Sequence, residues 1–232
     1  MRVGQLAAYT ATWAGVLPEG VEVQGMLGAE LAVNTFSTVN TMLGVQRRTD
    51  GTLESRDALF TWRGTVFNSD TFVWRLEPGF TLPTGGLGSE LRFTPLSSAS
   101  VDPFLSTDVV VGGQMMGVFT ARARVPVYDG WDLRRQGAFL RSDLRAAYRV
   151  GDLVPAAGVS LVRVLPSAPV GAVPDHGEVA VMLSAVWAFH PRWSLASQVR
   201  IPAWVIEGAP LVPSGGLALR GILVQPKNPA HD

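Results

Sequence analysis

Arg141, Asp143 and Arg145 stand at two-residue spacing, and Arg122 and Arg124 repeat that spacing on an earlier segment. In an extended chain such residues share one face, because successive side chains point to opposite sides. A guanidinium fork grips carboxylates and phosphates with two parallel hydrogen bonds. The cluster therefore has two chemistries open to it. The arginines can pair with carboxylates such as Asp143, Glu77 and Glu30 in a low-dielectric interior. They can also line a path that favours anionic or polar solutes.

Covalent chemistry has less to work with. Ser184 and His190 lie six residues apart in one strand pattern, roughly 20 Å at about 3.3 Å per residue, too far for a nucleophile and its base. Ser167, Asp175 and His176 share a polar stretch where solvation is the ordinary role of such side chains. His176, His190 and His231 are scattered without metal-ligand spacing, and the chain has no cysteine. Gly85, Gly86 and Gly88 are not followed by the Lys-Ser/Thr of a phosphate-binding loop. The expectation is a protein that is not an enzyme and needs no cofactor or metal.

The elements that carry the charges are strands. Phe72, Trp74, Leu76, Phe80 and Leu82 alternate with Val73, Arg75, Glu77 and Thr81, a sheet with one apolar and one polar face. The same rhythm recurs about twelve times, predicting strands over 3–14, 21–34, 37–48, 57–67, 71–82, 102–112, 115–127, 136–149, 153–165, 177–190, 192–205 and 215–224. The ninth is the least regular, since Arg163 shares the parity of Val159 and Leu161. Most segments run ten residues or more, the length a tilted strand needs to cross a bilayer and beyond the usual globular strand.

Connections sort by length. Tight turns are expected at Asn34 to Ser37, Phe67 to Thr71, Gly112 to Met115, Val150 to Leu153 and His190 to Arg192. Longer stretches join Arg47 to Asp57, Pro83 to Val101, Tyr128 to Gln136, Pro166 to Gly177 and Glu207 to Gly215. Short turns on one side and long loops on the other are the habit of outer-membrane barrels. Phe67, Phe72, Trp74, Trp187, Phe189 and Trp193 fall near the short turns, and Trp13, Trp204 and Tyr128 near the loops, as two interfacial girdles would.

Composition agrees. Charged residues make up 16% of the 232-residue chain, against roughly 25% in a soluble protein. Lys+Arg and Asp+Glu balance at 19 each, so no net field recruits nucleic acid. The pattern predicts one all-β domain: a single up-and-down antiparallel transmembrane barrel over 1–225 with a tail at 226–232. If its apolar parity faces lipid, the lumen collects Glu30, Arg63, Arg75, Glu77, Arg122, Arg124, Arg141, Asp143, Arg145, Arg200 and Arg220. About twelve strands lies between filled eight-stranded barrels and open porins. Met1 leads almost directly into the strand pattern without a basic and apolar signal region, so the expectation is that a precursor segment has been trimmed or that the chain is not exported.

Gly79-Phe80-Thr81-Leu82-Pro83-Thr84-Gly85, a strand ending in Leu-Pro-Thr-Gly before a long loop, resembles the outer-membrane protein family named for the meta-pathway of phenol degradation. Thr120 to Pro126 and Arg192-Trp193-Ser194-Leu195 are similar to its later strand and tight-turn pattern, while Thr81 replaces a common Lys. Members look like exported barrels labelled transporters. The resemblance implies a bacterial outer-membrane location and passage of small solutes, hydrophobic or aromatic ones included, with Pro83, Thr84, Gly85, Gly86 and Gly88 in an external loop. Membrane lipid and a small solute are the expected partners. Two other readings fit the residues: a soluble or surface barrel or sandwich enclosing an apolar ligand, and a structural barrel docking partners through its loops.

Overall fold

A computed structural model describes residues 3–17, 20–82, 102–124, 138–164, 176–206 and 213–224. Twelve strands among them form one closed antiparallel barrel in sequence order. The first six are β1 (Leu6–Leu17), β2 (Gly20–Asn34), β3 (Ser37–Arg47), β4 (Leu53–Asn68), β5 (Phe72–Leu82) and β6 (Asp102–Gly112). The rest are β7 (Met115–Arg124), β8 (Phe139–Tyr148), β9 (Leu153–Val164), β10 (His176–His190), β11 (Trp193–Ile206) and β12 (Ser214–Val224). β12 returns to β1 from Leu6↔Val224 to Gly15↔Ser214, so the sheet has no open edge. Backbone groups are satisfied between strands, the condition for crossing hydrocarbon as β-structure.

Burial runs opposite to that of a water-soluble protein. Leu27 is 65% exposed and Leu183 52%, on the outer parity of β2 and β10, whereas Gln24, Gln46, Glu77, Asp143 and Arg200 are buried on the inner parity. In water this would be a continuous apolar belt far larger than a soluble surface tolerates; in lipid it is the ordinary outside of a barrel. The orientation removes the reading of a sandwich or barrel with its Trp and Phe parity turned inward. Outward polar atoms are satisfied locally: Thr107 Oγ1 accepts from Trp74 Nε1 at 2.9 Å and donates to the Arg75 carbonyl at 3.1 Å.

Aromatics cluster outside at the short-turn end. Phe67 and Phe72 meet edge-on at 5.6 Å, and Trp187 and Phe189 lie 5.3 Å apart. A bulge between Thr65 and Phe67 turns Phe67 to the face of Trp74. Trp204 is 70% exposed near the opposite end. Trp13, expected in that girdle, lies instead on the lumen parity, between Gln24 and Gly216. Its alternate positions, Thr10, Thr12, Ala14 and Val16, are small or weakly apolar, so the β1 sequence does not mark which face meets lipid.

The short turns end β2, β4, β6, β8 and β10. At the first, the Phe36 amide donates to Asn34 Oδ1 at 2.8 Å. Gly112 opens the third with φ 114°, where a Cβ would strike the Met115 backbone. On the other side the sorting is less regular than expected. Only residues 18–19 separate β1 from β2, and β4 begins at Leu53, shortening the expected Arg47 to Asp57 loop to 48–52. There Thr52 donates to Asp50 from its amide (2.9 Å) and hydroxyl (2.6 Å), which holds the Asp50 carboxyl below its usual range.

Candidate functional site

The candidate site is the lumen wall. Glu30, Arg63, Arg75, Glu77, Arg122, Arg141, Asp143, Arg145, Arg200 and Arg220 occupy inward parities of β2, β4, β5, β7, β8, β11 and β12. Arg124 closes β7, its backbone opposite Phe139. Pro83, Thr84, Gly85, Gly86 and Gly88 lie outside the described residues. Arg163 is exposed on the outer parity at the long-loop end of β9, which explains the irregular pattern there.

One ionic group spans β12 to β6. Arg63 donates to Glu77 Oε2 from Nε (3.0 Å) and Nη2 (2.8 Å), and Arg220 donates to Glu30 Oε2 from Nε (3.0 Å) and Nη2 (2.9 Å). Arg63 also interacts electrostatically with Asp108 and Glu30. Tyr9 lies over Gly28 and donates its hydroxyl to the Thr41 carbonyl at 3.3 Å. Beside it Asn40 Nδ2 donates to Thr61 Oγ1 at 2.9 Å. Met26 and Met42 pack on buried Leu59, an apolar patch on the same wall.

A second group spans β7 to β11. Arg141 Nε lies 3.0 Å from both oxygens of Asp143. Arg200 pairs with Glu178, and Arg145 Nη2 donates to Thr120 Oγ1 at 3.4 Å. Arg141 Nη2 and Gln198 Nε2 both point at the Met182 sulfur, at 3.7 and 3.4 Å. Arg122 links the groups, interacting electrostatically with Glu77, Asp108, Arg63 and Arg141. Arg63–Glu77 and Arg200–Glu178 join neighbouring strands, Arg220–Glu30 next-neighbour strands, and Arg141–Asp143 lies along β8, so much of the charge is neutralised along the wall.

Such a wall can hydrate, orient and bind polar or charged solutes. Ser184 and His190 stand six positions apart on β10 and form no dyad. Among the described residues, no group of three His, Asp or Glu could hold a metal ion. Tyr9, Trp13, Ser160, Met182 and the Arg200–Glu178 pair escape the sequence reading of the site. Glu178 was legible as polar against Val179 and Val181, but Met182 and Tyr9 carry apolar character on an inward parity and so look like lipid-facing residues.

Comparison with protein-family models and with curated protein sequences finds no match. Among solved structures, the chain is similar to an outer-membrane channel from Pseudomonas putida F1, with TM-score 0.76 and 14% identity over 96% of this chain and 97% of that one. The NanC porin matches with TM-score 0.62 and 9% identity, over 93% of this chain and 100% of the porin. The translocator domain of the autotransporter NalP from Neisseria meningitidis matches with TM-score 0.52 and 12% identity, over 94% and 87%. At these identities the likeness is one of fold: this chain has the architecture of outer-membrane β-barrels.

Proposed function

We propose that the protein is a bacterial outer-membrane channel for the passive passage of small solutes. The observation that carries this reading is the inverted distribution of polarity: Leu27, Val181, Leu183, Trp187 and Ile201 face outward while four arginine–carboxylate pairs stand inside a closed wall. A barrel needs only an apolar exterior to sit in lipid. A charged interior adds a route that water and polar solutes can wet.

The similar folds of a channel and a porin support the same reading. The resemblance to the phenol meta-pathway family extends the cargo to hydrophobic or aromatic solutes. The Met26, Met42 and Leu59 patch beside the ionic groups gives such solutes an apolar surface.

Planar bilayers test it. Refolded protein is expected to insert with discrete, ohmic conductance steps. A heat-modifiable barrel that inserts without conductance steps would make it a structural or docking barrel instead.

A further inference from the structure

On β8 to β11 the lumen wall offers more strong donors than acceptors. Arg200 is 5% exposed and gives Nη1 to Glu178, while its Nε and Nη2 have no hydrogen-bond partner. Those two atoms form the guanidinium edge that holds a carboxylate bidentately. Ser160 on β9 is fully buried, and its Oγ is also unpartnered. Buried donors are almost always satisfied.

The surroundings point the same way. Met182 pairs with Arg200 on β11 and Gly158 on β9, and Ser160 pairs with Ala180, so Arg200 and Met182 share one inward row and Ser160 stands at the next inward position, two residues along β9. The Met182 thioether is a weak acceptor, yet it takes both Arg141 Nη2 and Gln198 Nε2. Arg200 and Arg141 also interact across it, like charge against like, with Asp143 nearby. Three guanidiniums on this wall, Arg141, Arg145 and Arg200, stand against two carboxylates, Asp143 and Glu178, an excess of one positive charge.

We infer that this wall is a binding site for the carboxylate group of a small solute. The carboxylate lies against Nε and Nη2 of Arg200 and accepts from Ser160 Oγ. Arg141 and Gln198 turn to it from the Met182 sulfur. One monoanion cancels the excess charge. The inference deepens the channel reading by naming its solute class, and rests on it for the route by which solute reaches the site.

Calorimetric titration of the detergent-refolded barrel tests this, with sodium acetate as probe, methyl acetate as its neutral counterpart and inorganic phosphate as the competing oxyanion. Saturable acetate binding is expected, at least tenfold tighter than methyl acetate or phosphate. Arg200→Lys keeps the charge and loses the fork, and should weaken acetate at least tenfold. Ser160→Ala, a milder change that keeps the barrel heat-modifiable, should weaken it severalfold. Arg149→Gln, which removes one positive charge outside the strands, should leave it within twofold. Absent saturation, an equal loss in Arg149→Gln, or phosphate binding as tight as acetate would overturn the assignment. Conductance of the same preparations separates the two claims: conductance without acetate binding overturns the site alone, and acetate binding without conductance overturns the channel alone.

Discussion

Arg220 on the last strand reaches past β1 to Glu30 on β2, placing Nε and Nη2 at 3.0 and 2.9 Å from one carboxylate oxygen. The pair is a side-chain clasp across the seam where the chain's two ends close the barrel. Glu30 is largely buried and Arg220 about one-third exposed to the lumen, so the pair lies between a surface bridge and a buried one. Arg220→Ala or Glu30→Ala is expected to destabilise the barrel by about 1 to 3 kcal/mol, the range for a charged hydrogen-bonded group losing its partner. Denaturant unfolding followed by tryptophan fluorescence reads this, and the swapped double variant Arg220→Glu/Glu30→Arg should recover part of it.

The outer face has a depth dependence. Val181→Arg and Leu183→Arg place a charge on the lipid side of mid-β10 and should each cost roughly 2 to 4 kcal/mol. Leu153→Arg, at the short-turn end of β9, should cost about 0 to 1 kcal/mol by the same rule. Folding into vesicles at graded urea gives all three. Equal costs at the two depths would mean that this face does not meet a bilayer.

Tyr9 lies flat across Gly28 because that position has no side chain; a Cβ there would fall inside the ring's envelope. Gly28→Ala must therefore displace the ring and its bond to the Thr41 carbonyl. An off-rotamer or displaced ring costs about 1 to 3 kcal/mol. In a Tyr9→Ala background the same glycine substitution should be nearly neutral. That non-additivity, measured by a double-mutant cycle, distinguishes ring packing from backbone effects.

Arg122 joins the two ionic groups, so its charge acts on the bore as a whole. Arg122→Gln is expected to shift the reversal potential in a salt gradient towards cation preference, and Glu77→Gln towards anion preference. An unchanged reversal potential in both would mean ions do not pass these side chains.

The sequence was most legible where large apolar and charged residues alternate without interruption. On β5 and β8 the parity of Phe72 to Leu82 and of Arg141 to Arg145 matches the observed faces. It was least legible on β1, where Ala7, Ala11 and Gly15 face inward and Ala8, Thr10 and Ala14 outward, so neither side carries a decisive polarity. Partners such as Glu178 for Arg200 depend on register between strands, which bulges at Val179/Ala180 and Thr65/Phe67 shift by one residue. Such shifts arise from pairing across strands and leave no mark in the alternation along one strand.

The most direct test of the account is swelling of liposomes carrying the refolded barrel, with heat-modifiable gel migration as the check on folding. A channel of this width should give swelling that is fast for small polar solutes and falls as solute size rises. A correctly folded barrel that leaves the liposomes impermeable to every solute, or a protein that stays monomeric in water without detergent, would contradict it.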